Sequence, residues 1–238
     1  MKRFVYVFIF IVSVVLSWFV WDNSPDYFRQ GGPFLIAGLT LLFLAFTFGI
    51  ERYFVIWRAG GRGDVPGFVR GLKASVDEGD IGAAIHHCKQ QGGSVANTVG
   101  AGLTRYQTVE GRLSSRREIL DETRRAIEES NALETPLLEQ NLPALSTIAS
   151  IATMVGLLGT VTGMIRAFHA MSRAGAPDAT ALALGISQAL LTTAVGLVTA
   201  IIATIMYNYL TAKVDAFTNT LDEITYQILH LLDSRPEN

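Results

Sequence analysis

Four apolar stretches constrain this chain more than any other feature. Residues 4–21 carry no charge, and residues 34 to about 57 are interrupted only near the end by Glu51 and Arg52. Residues 142 to about 165 and 182–210 complete the set. A helix crosses a bilayer with about 20 mostly apolar residues, and about 17 at the short end. The expected fold class is all-α: a polytopic α-helical membrane protein whose long helices extend into a cytoplasmic helical domain. Composition agrees, because 50% of the residues are hydrophobic and only 17% are charged, against about 25% in ordinary soluble domains. The balance of 19 basic against 21 acidic residues excludes a chain that coats nucleic acid. A single cysteine, Cys88, excludes an internal disulfide and any multi-cysteine metal site. No cofactor is expected.

The first stretch, preceded by Lys2 and Arg3, has two readings. A cleaved secretory signal needs a small-residue cleavage site after a short apolar core. This one ends in Trp18, Phe19, Val20, Trp21 and Asp22, so an uncleaved anchor is preferred. Orientation follows from the basic residues beside the spans. Sixteen Lys and Arg fall on one side, twelve of them within 52–141, against Arg29, Arg166 and Arg173 on the other. Both termini and the 52–141 segment are therefore expected in the cytoplasm.

The expected organisation follows. Residues 1–33 hold the anchor helix and a short periplasmic loop, and 34–57 form a transmembrane helix. Residues 58–141 form a cytoplasmic helical domain, 142–172 a transmembrane helix, 173–181 a periplasmic loop, 182–210 a transmembrane helix and 211–238 a cytoplasmic amphipathic tail. In the cytoplasmic part, Asp80 is expected to cap a helix that ends at Gly92 and Gly93. A charged helix is expected over 114–140, with Glu118, Asp121 and Glu122 near Arg124 and Arg125, and with Pro136 and Pro143 kinking it. His86 and His87 point about 100° apart on a helix and lack a third ligand, so a solvated surface is the expectation. In the tail, Val214, Phe217, Leu221, Ile224, Ile228 and Leu232 step by three and four, close to a coiled-coil seam. That stripe must bury itself on the 114–140 helix, on a neighbouring subunit, or on both.

The last two spans differ in kind from the first two. The third carries Ser146, Ser150, Thr153 and Thr160 on one face, with Gly156, Gly159 and Gly163. On the fourth, Ala189, Thr193, Gly196, Ala200 and Thr204 make a small-residue stripe beside Gln188, Thr192 and Thr199. Small residues let membrane helices approach closely and hydroxyls bond across the gap. Tight packing is one reading; a partly polar conduit lined by Thr is the other. No Asp or Glu lies between Glu139 and Asp178 or between Asp178 and Asp215. A proton path normally uses an ionisable side chain. If protons pass here, a partner helix must supply the carboxylate.

The run Gly159-Thr160-Val161-Thr162-Gly163 resembles the Gly-Thr-Val-x-Gly signature of the ExbB, TolQ and MotA proton-channel family. Residues 185–197 resemble its second signature, and Tyr207-Asn208-Tyr209 the usual exit from the final span. The likeness runs from about residue 30 to 232 and is greatest to ExbB. It implies a homo-oligomer, a pentamer, in the Gram-negative inner membrane, around an ExbD- or TolR-like single-span protein that supplies an intramembrane Asp. A TonB-like protein is a further implied partner, and the lipid bilayer a third. By motif position, Thr160 and Thr193 would face the partner's Asp, with Thr192 and Thr153 as further lining and Gly156, Gly159, Gly163 and Gly196 as helix-packing positions. Gln188 stands where ExbB sequences carry Glu, which leaves its pore role open. Ile202 stands where many carry Pro, and the helix at 4–21 is additional to the common three-span plan. The expectation is a non-enzymatic, ExbB-like subunit of a motor driven by the proton-motive force and energising TonB-dependent outer-membrane transport. A TolQ-like or gliding-type motor and a non-conducting scaffold are the alternatives.

Overall fold

A computed structural model describes residues 2–113, 115–173 and 179–234, and nine helices account for nearly all of them. They are α1 (Lys2–Asp22), α2 (Asp26–Arg29), α3 (Gly32–Ala59), α4 (Val65–Asp77), α5 (Ile81–Gln91), α6 (Gly93–Val109), α7 (Arg116–Glu139), α8 (Leu142–Arg173) and α9 (Ala179–Ser234). No strand occurs among the described residues. The helical stretches Gly32–Ala59, Arg116–His169 and Ala179–Ser234 each hold a segment long and apolar enough to cross a membrane, and Tyr6–Asp22 is a shorter apolar helix. Most of the 173–181 loop (residues 174–178) lies outside the described residues, as does Ser114, the expected start of the charged helix.

The chain divides into two compact units. One joins the residues up to Glu51 with Asn141–Tyr209, and the other joins Arg52–Gln140 with Leu210–Asn238. The first is the apolar one. There α1 packs beside α3. Tyr6 donates to Asn141 Oδ1 at 3.1 Å near the Glu51 end, and its ring stacks at a tilt 6.3 Å from that of Phe48. Midway, the Thr40 hydroxyl donates to buried Ser17 at 3.0 Å, and Ser17 donates on to the Ser13 carbonyl. At the far end Trp21 Nε1 donates to the Arg29 carbonyl at 3.0 Å, and Arg29 pairs with Asp22 at 2.6 Å. Hydroxyls that bond back to their own helix leave no unpaired proton in hydrocarbon.

The expected proline kinks are replaced by a clean break. Helix α7 continues through Pro136 and stops at Glu139; Gln140 is extended (ψ 134°) and Asn141 takes φ 68°. Pro143 then sits in the first turn of α8, where it removes no bond. Asn141 also donates to Glu51 Oε2 at 3.2 Å, so one side chain ties this joint to both α1 and α3. Left-handed backbone costs a residue with a Cβ about 1–2 kcal/mol. Asn141→Ala loses both bonds and keeps the strain, whereas Asn141→Gly loses only the bonds. Asn141→Ala should therefore melt at the lower temperature in detergent, by about 1 kcal/mol of stability.

The second unit is a helical domain around one apolar core. Leu72 and Val76 of α4, Ala84 and Cys88 of α5, Val99 and Leu103 of α6, and Ile119 of α7 meet Leu221, Ile224, Ile228 and Leu232 of α9 there. The tail stripe is thus buried within its own chain. It lies mainly against α4 to α6 and touches α7 only near the start of that helix, because the short helices offer the wider apolar face. Asp80 caps α5 by accepting from the Ala83 N–H at 2.8 Å, as its position indicates, and Gly92 (φ 60°) closes that helix. Glu122 pairs with Arg125 on its own helix at 3.2 Å and, across the domain, with Arg105 of α6. That second partner holds the Glu122 carboxyl below the usual range, so its contribution is present at neutral pH and fades as pH falls through the lowered value.

Burial raises the Cys88 thiol to about 12, and only the thiolate is nucleophilic. Iodoacetamide at pH 8 should leave the native protein unlabelled and modify Cys88 once the chain is denatured, as read by intact mass.

Candidate functional site

The site is built on α8 and α9 within the apolar unit. Backbones touch along their seam because glycine faces backbone. A Cβ on Gly196 would stand 2.6 Å from the Ala152 carbonyl oxygen and 2.9 Å from Gly156 Cα. One on Gly156 would stand 3.3 Å from both Gly196 Cα and Thr193 Cα. Gly163 meets Ala189 in the same way, and Gly159 meets the Thr192 side chain. The expected packing glycines therefore all lie in one interface.

The four expected lining threonines divide. Thr192 is enclosed in the seam at 3% exposure, with its hydroxyl donating to the carbonyls of Gln188 and Ala189. Thr193, half-buried, donates across the seam to the Gly156 carbonyl at 2.9 Å. Thr160, also half-buried, donates to Leu157 of its own helix at 2.6 Å. Thr153 is exposed and donates to Ala149, and Ser146 and Ser150 are exposed beside it. On α9, Thr204 is exposed too. On this hydroxyl-bearing face Ser150, Thr153, Thr160 and Thr193 each commit the proton to a carbonyl, so their oxygens present lone pairs. The acids missing from the third and fourth apolar stretches in the sequence are missing from this face as well.

The other flank of α9 packs on α3. Gln188 Nε2 lies 3.5 Å from the Gly31 carbonyl, and a Cβ on Gly32 would stand 3.0 Å from that nitrogen. Thr199, fully buried, donates to Val195, and its oxygen lies 3.5 Å from the Gly38 carbonyl. Gln188 thus faces the start of α3. Gln188→Glu would set an acceptor against a carbonyl; the expected loss is about 1–2 kcal/mol in a detergent melt. An unchanged melt would mean that the amide makes no bond there.

Sequence reasoning did not find the Tyr6–Asn141–Glu51 link. Its one local signal was Asn141, a residue that tolerates left-handed backbone, between two prolines.

Residues 95–223, which run from α6 through both seam helices into the tail, match the MotA/TolQ/ExbB proton channel family. The chain belongs to that family. It is 40% identical over 116 residues to the Tol-Pal system protein TolQ of Haemophilus influenzae, covering 47% of this chain and 50% of the relative. It is also 40% identical over 91 residues to the biopolymer transport protein ExbB of Salmonella typhimurium, covering 38% and 37%. A putative ExbB homolog of Methanothermobacter thermautotrophicus is 30% identical over 193 residues, covering 80% of this chain and 63% of its own. The chain spans half or less of the first two relatives it matches. This MotA/TolQ/ExbB family member is a multi-pass helical membrane protein of a channel family, not of an enzyme family.

Proposed function

We propose that this chain is the ExbB-like, channel-forming subunit of an inner-membrane motor driven by the proton-motive force. It works with an ExbD- or TolR-like single-span partner that supplies an intramembrane Asp, and it energises TonB-dependent outer-membrane transport. The observation that carries this reading is the α8–α9 face, which offers hydroxyl acceptors and no carboxylate. A surface of lone pairs accepts from a protonated carboxyl and repels an ionised one. The partner's Asp would therefore pass along Thr160, Thr193 and Thr153 neutral, and release its proton where this face ends. Each proton moved brings about 2.3 kcal/mol per 100 mV of membrane potential. Five copies, as the family implies, would surround the partner with this face turned inward. Thr192, enclosed in the seam, would hold the two helices together.

Helix α1 is proposed as a retained fourth span. The Thr40–Ser17 hydrogen bond from α3, and the nearness of Tyr6 to Glu51 and Asn141, support the N-terminus lying on the same side as the basic 52–141 segment, which the positive residues favour in the cytoplasm. A TolQ-like role has its own support in the 116-residue alignment to the Haemophilus protein, against 91 residues for the Salmonella ExbB.

The test co-expresses the chain with its single-span partner, reconstitutes the complex in liposomes and follows dye-reported proton flux under an imposed potential. Flux that vanishes when the partner's Asp becomes Asn is expected. No flux with the partner would overturn the reading in favour of a non-conducting scaffold, and flux without the partner would overturn the partner's role as source of the carboxylate. Complementation separates the two systems: rescue of an ExbB-deficient host supports the first role, and rescue of the Tol-Pal system in a TolQ-deficient host the second.

A further inference from the structure

The second, helical unit contains a cleft of about 690 Å³ between α4 and α9. Its floor is apolar, formed by Val69, Val95, Phe217 and Ile224, and Val95 and Ile224 also belong to the buried core. Its rim carries three cations, Arg70, Lys73 and Lys213, against one acid, Glu223. Its height along the chain is set by Ile56, three residues before α3 ends, and by Lys213, just past the apolar run of α9. Within one turn of Ile56 on α3, Tyr53, Phe54 and Trp57 are 49%, 59% and 71% exposed. Exposed aromatic rings at the end of a span sit at the level of the lipid headgroups. The cleft thus opens where the chain leaves the bilayer.

A ligand that uses the whole of this cleft must be anionic at one end and apolar at the other. Inorganic phosphate would engage the cations and leave the floor against water. We propose that the cleft binds an anionic phospholipid drawn from the adjoining leaflet. The phosphodiester lies against Arg70, Lys73 and Lys213, and the glycerol and first acyl carbons lie on Phe217 and Val69. Arg70 supplies a planar fork and the two lysines supply point charges. The bound lipid would bridge α4 to α9. Only the naming of that leaflet as cytoplasmic rests on the orientation proposed above; binding itself does not.

The full-length protein, stripped of lipid in neutral detergent, is titrated with phosphatidylglycerol or phosphatidylcholine in mixed micelles, and bound lipid is counted by native mass spectrometry. Phosphatidylglycerol should be retained preferentially. Each of Arg70→Gln, Lys73→Gln and Lys213→Gln should weaken retention by about fivefold, the scale of one basic residue at an anionic surface. Glu223→Gln should strengthen it. The triple variant Arg62→Gln, Arg112→Gln, Arg117→Gln, whose positions lie outside the cleft, should retain lipid as the parent does. Equal losses in that control, no preference for the anionic lipid, or full displacement by millimolar inorganic phosphate would each overturn the proposal. The opposite signs at Lys73 and Glu223 keep the test decisive if a multiple variant fails to fold. Proton flux plays no part in this readout, so its outcome is independent of the motor reading.

Discussion

Gly196→Ala is expected to be among the most costly single-methyl additions to the apolar unit. The added carbon would lie 2.6 Å from the Ala152 carbonyl and 2.9 Å from Gly156 Cα. Both are backbone atoms of a helix and have no rotamer to give, so α8 and α9 must move apart. Separation loosens the contacts at Gly156, Gly159 and Gly163 together, since they share the seam. Overpacking a close-packed contact costs about 1–3 kcal/mol and sometimes more; the upper end is expected here, read as a lower melting temperature in detergent and earlier proteolysis. Gly156→Ala, at 3.3 Å from its neighbours, should fall between Gly196→Ala and the parent. Gly71→Ala in α4 is the control. Nothing lies within 4 Å of its added methyl group, so it should stabilise the chain by about 0.5–1 kcal/mol through helix propensity alone. A Gly196→Ala protein that melts with the parent would mean that the seam is not closed in the membrane.

Thr193→Val is expected to reduce proton flux by about tenfold or more while leaving the assembled protein intact. Valine matches threonine in shape and removes only the hydroxyl. Structurally, that deletes the bond to the Gly156 carbonyl, and such bonds between membrane helices average about 0.6 kcal/mol. The melt should barely move. Functionally, it removes an acceptor from the path proposed for the partner's carboxyl, and a tenfold loss is about 1.4 kcal/mol of barrier. Thr193→Ser keeps the oxygen and should restore the flux. Thr160→Val should act in the same direction without any change at the seam, because its hydroxyl bonds within its own helix. If Thr193→Val conducts normally, the hydroxyl serves packing alone.

How much of this was legible beforehand depended on range. The apolar stretches, the caps at Asp80 and Gly92, the glycine pairs and the absence of acids from the last two apolar stretches are all readable within one helix. Bilayer thickness, helical period and backbone hydrogen bonding act over a few turns and leave their mark in the local order of residues. The Gly-Thr-Val-Thr-Gly run adds a family that the matched region 95–223 bears out.

What a helix faces is a different matter. Gln188, Thr192 and Thr193 are neighbours in sequence, yet one looks to α3, one is shut inside the seam, and one reaches across to Gly156. Small and polar residues suit a seam and a conduit equally, so their type does not divide them; the azimuth of α9 between two neighbouring helices does. The tail stripe is another case, because its spacing demands a partner without saying which, and the wide apolar face of α4 to α6 decided it. The link from Tyr6 to Asn141 joins residues 135 apart. Sequence alone determined that this is a helical membrane protein, and with what chemistry on offer. Only the tertiary structure decided which of those groups are used up in holding helices together and which stay exposed, because close packing assigns each side chain a neighbour that no local pattern encodes.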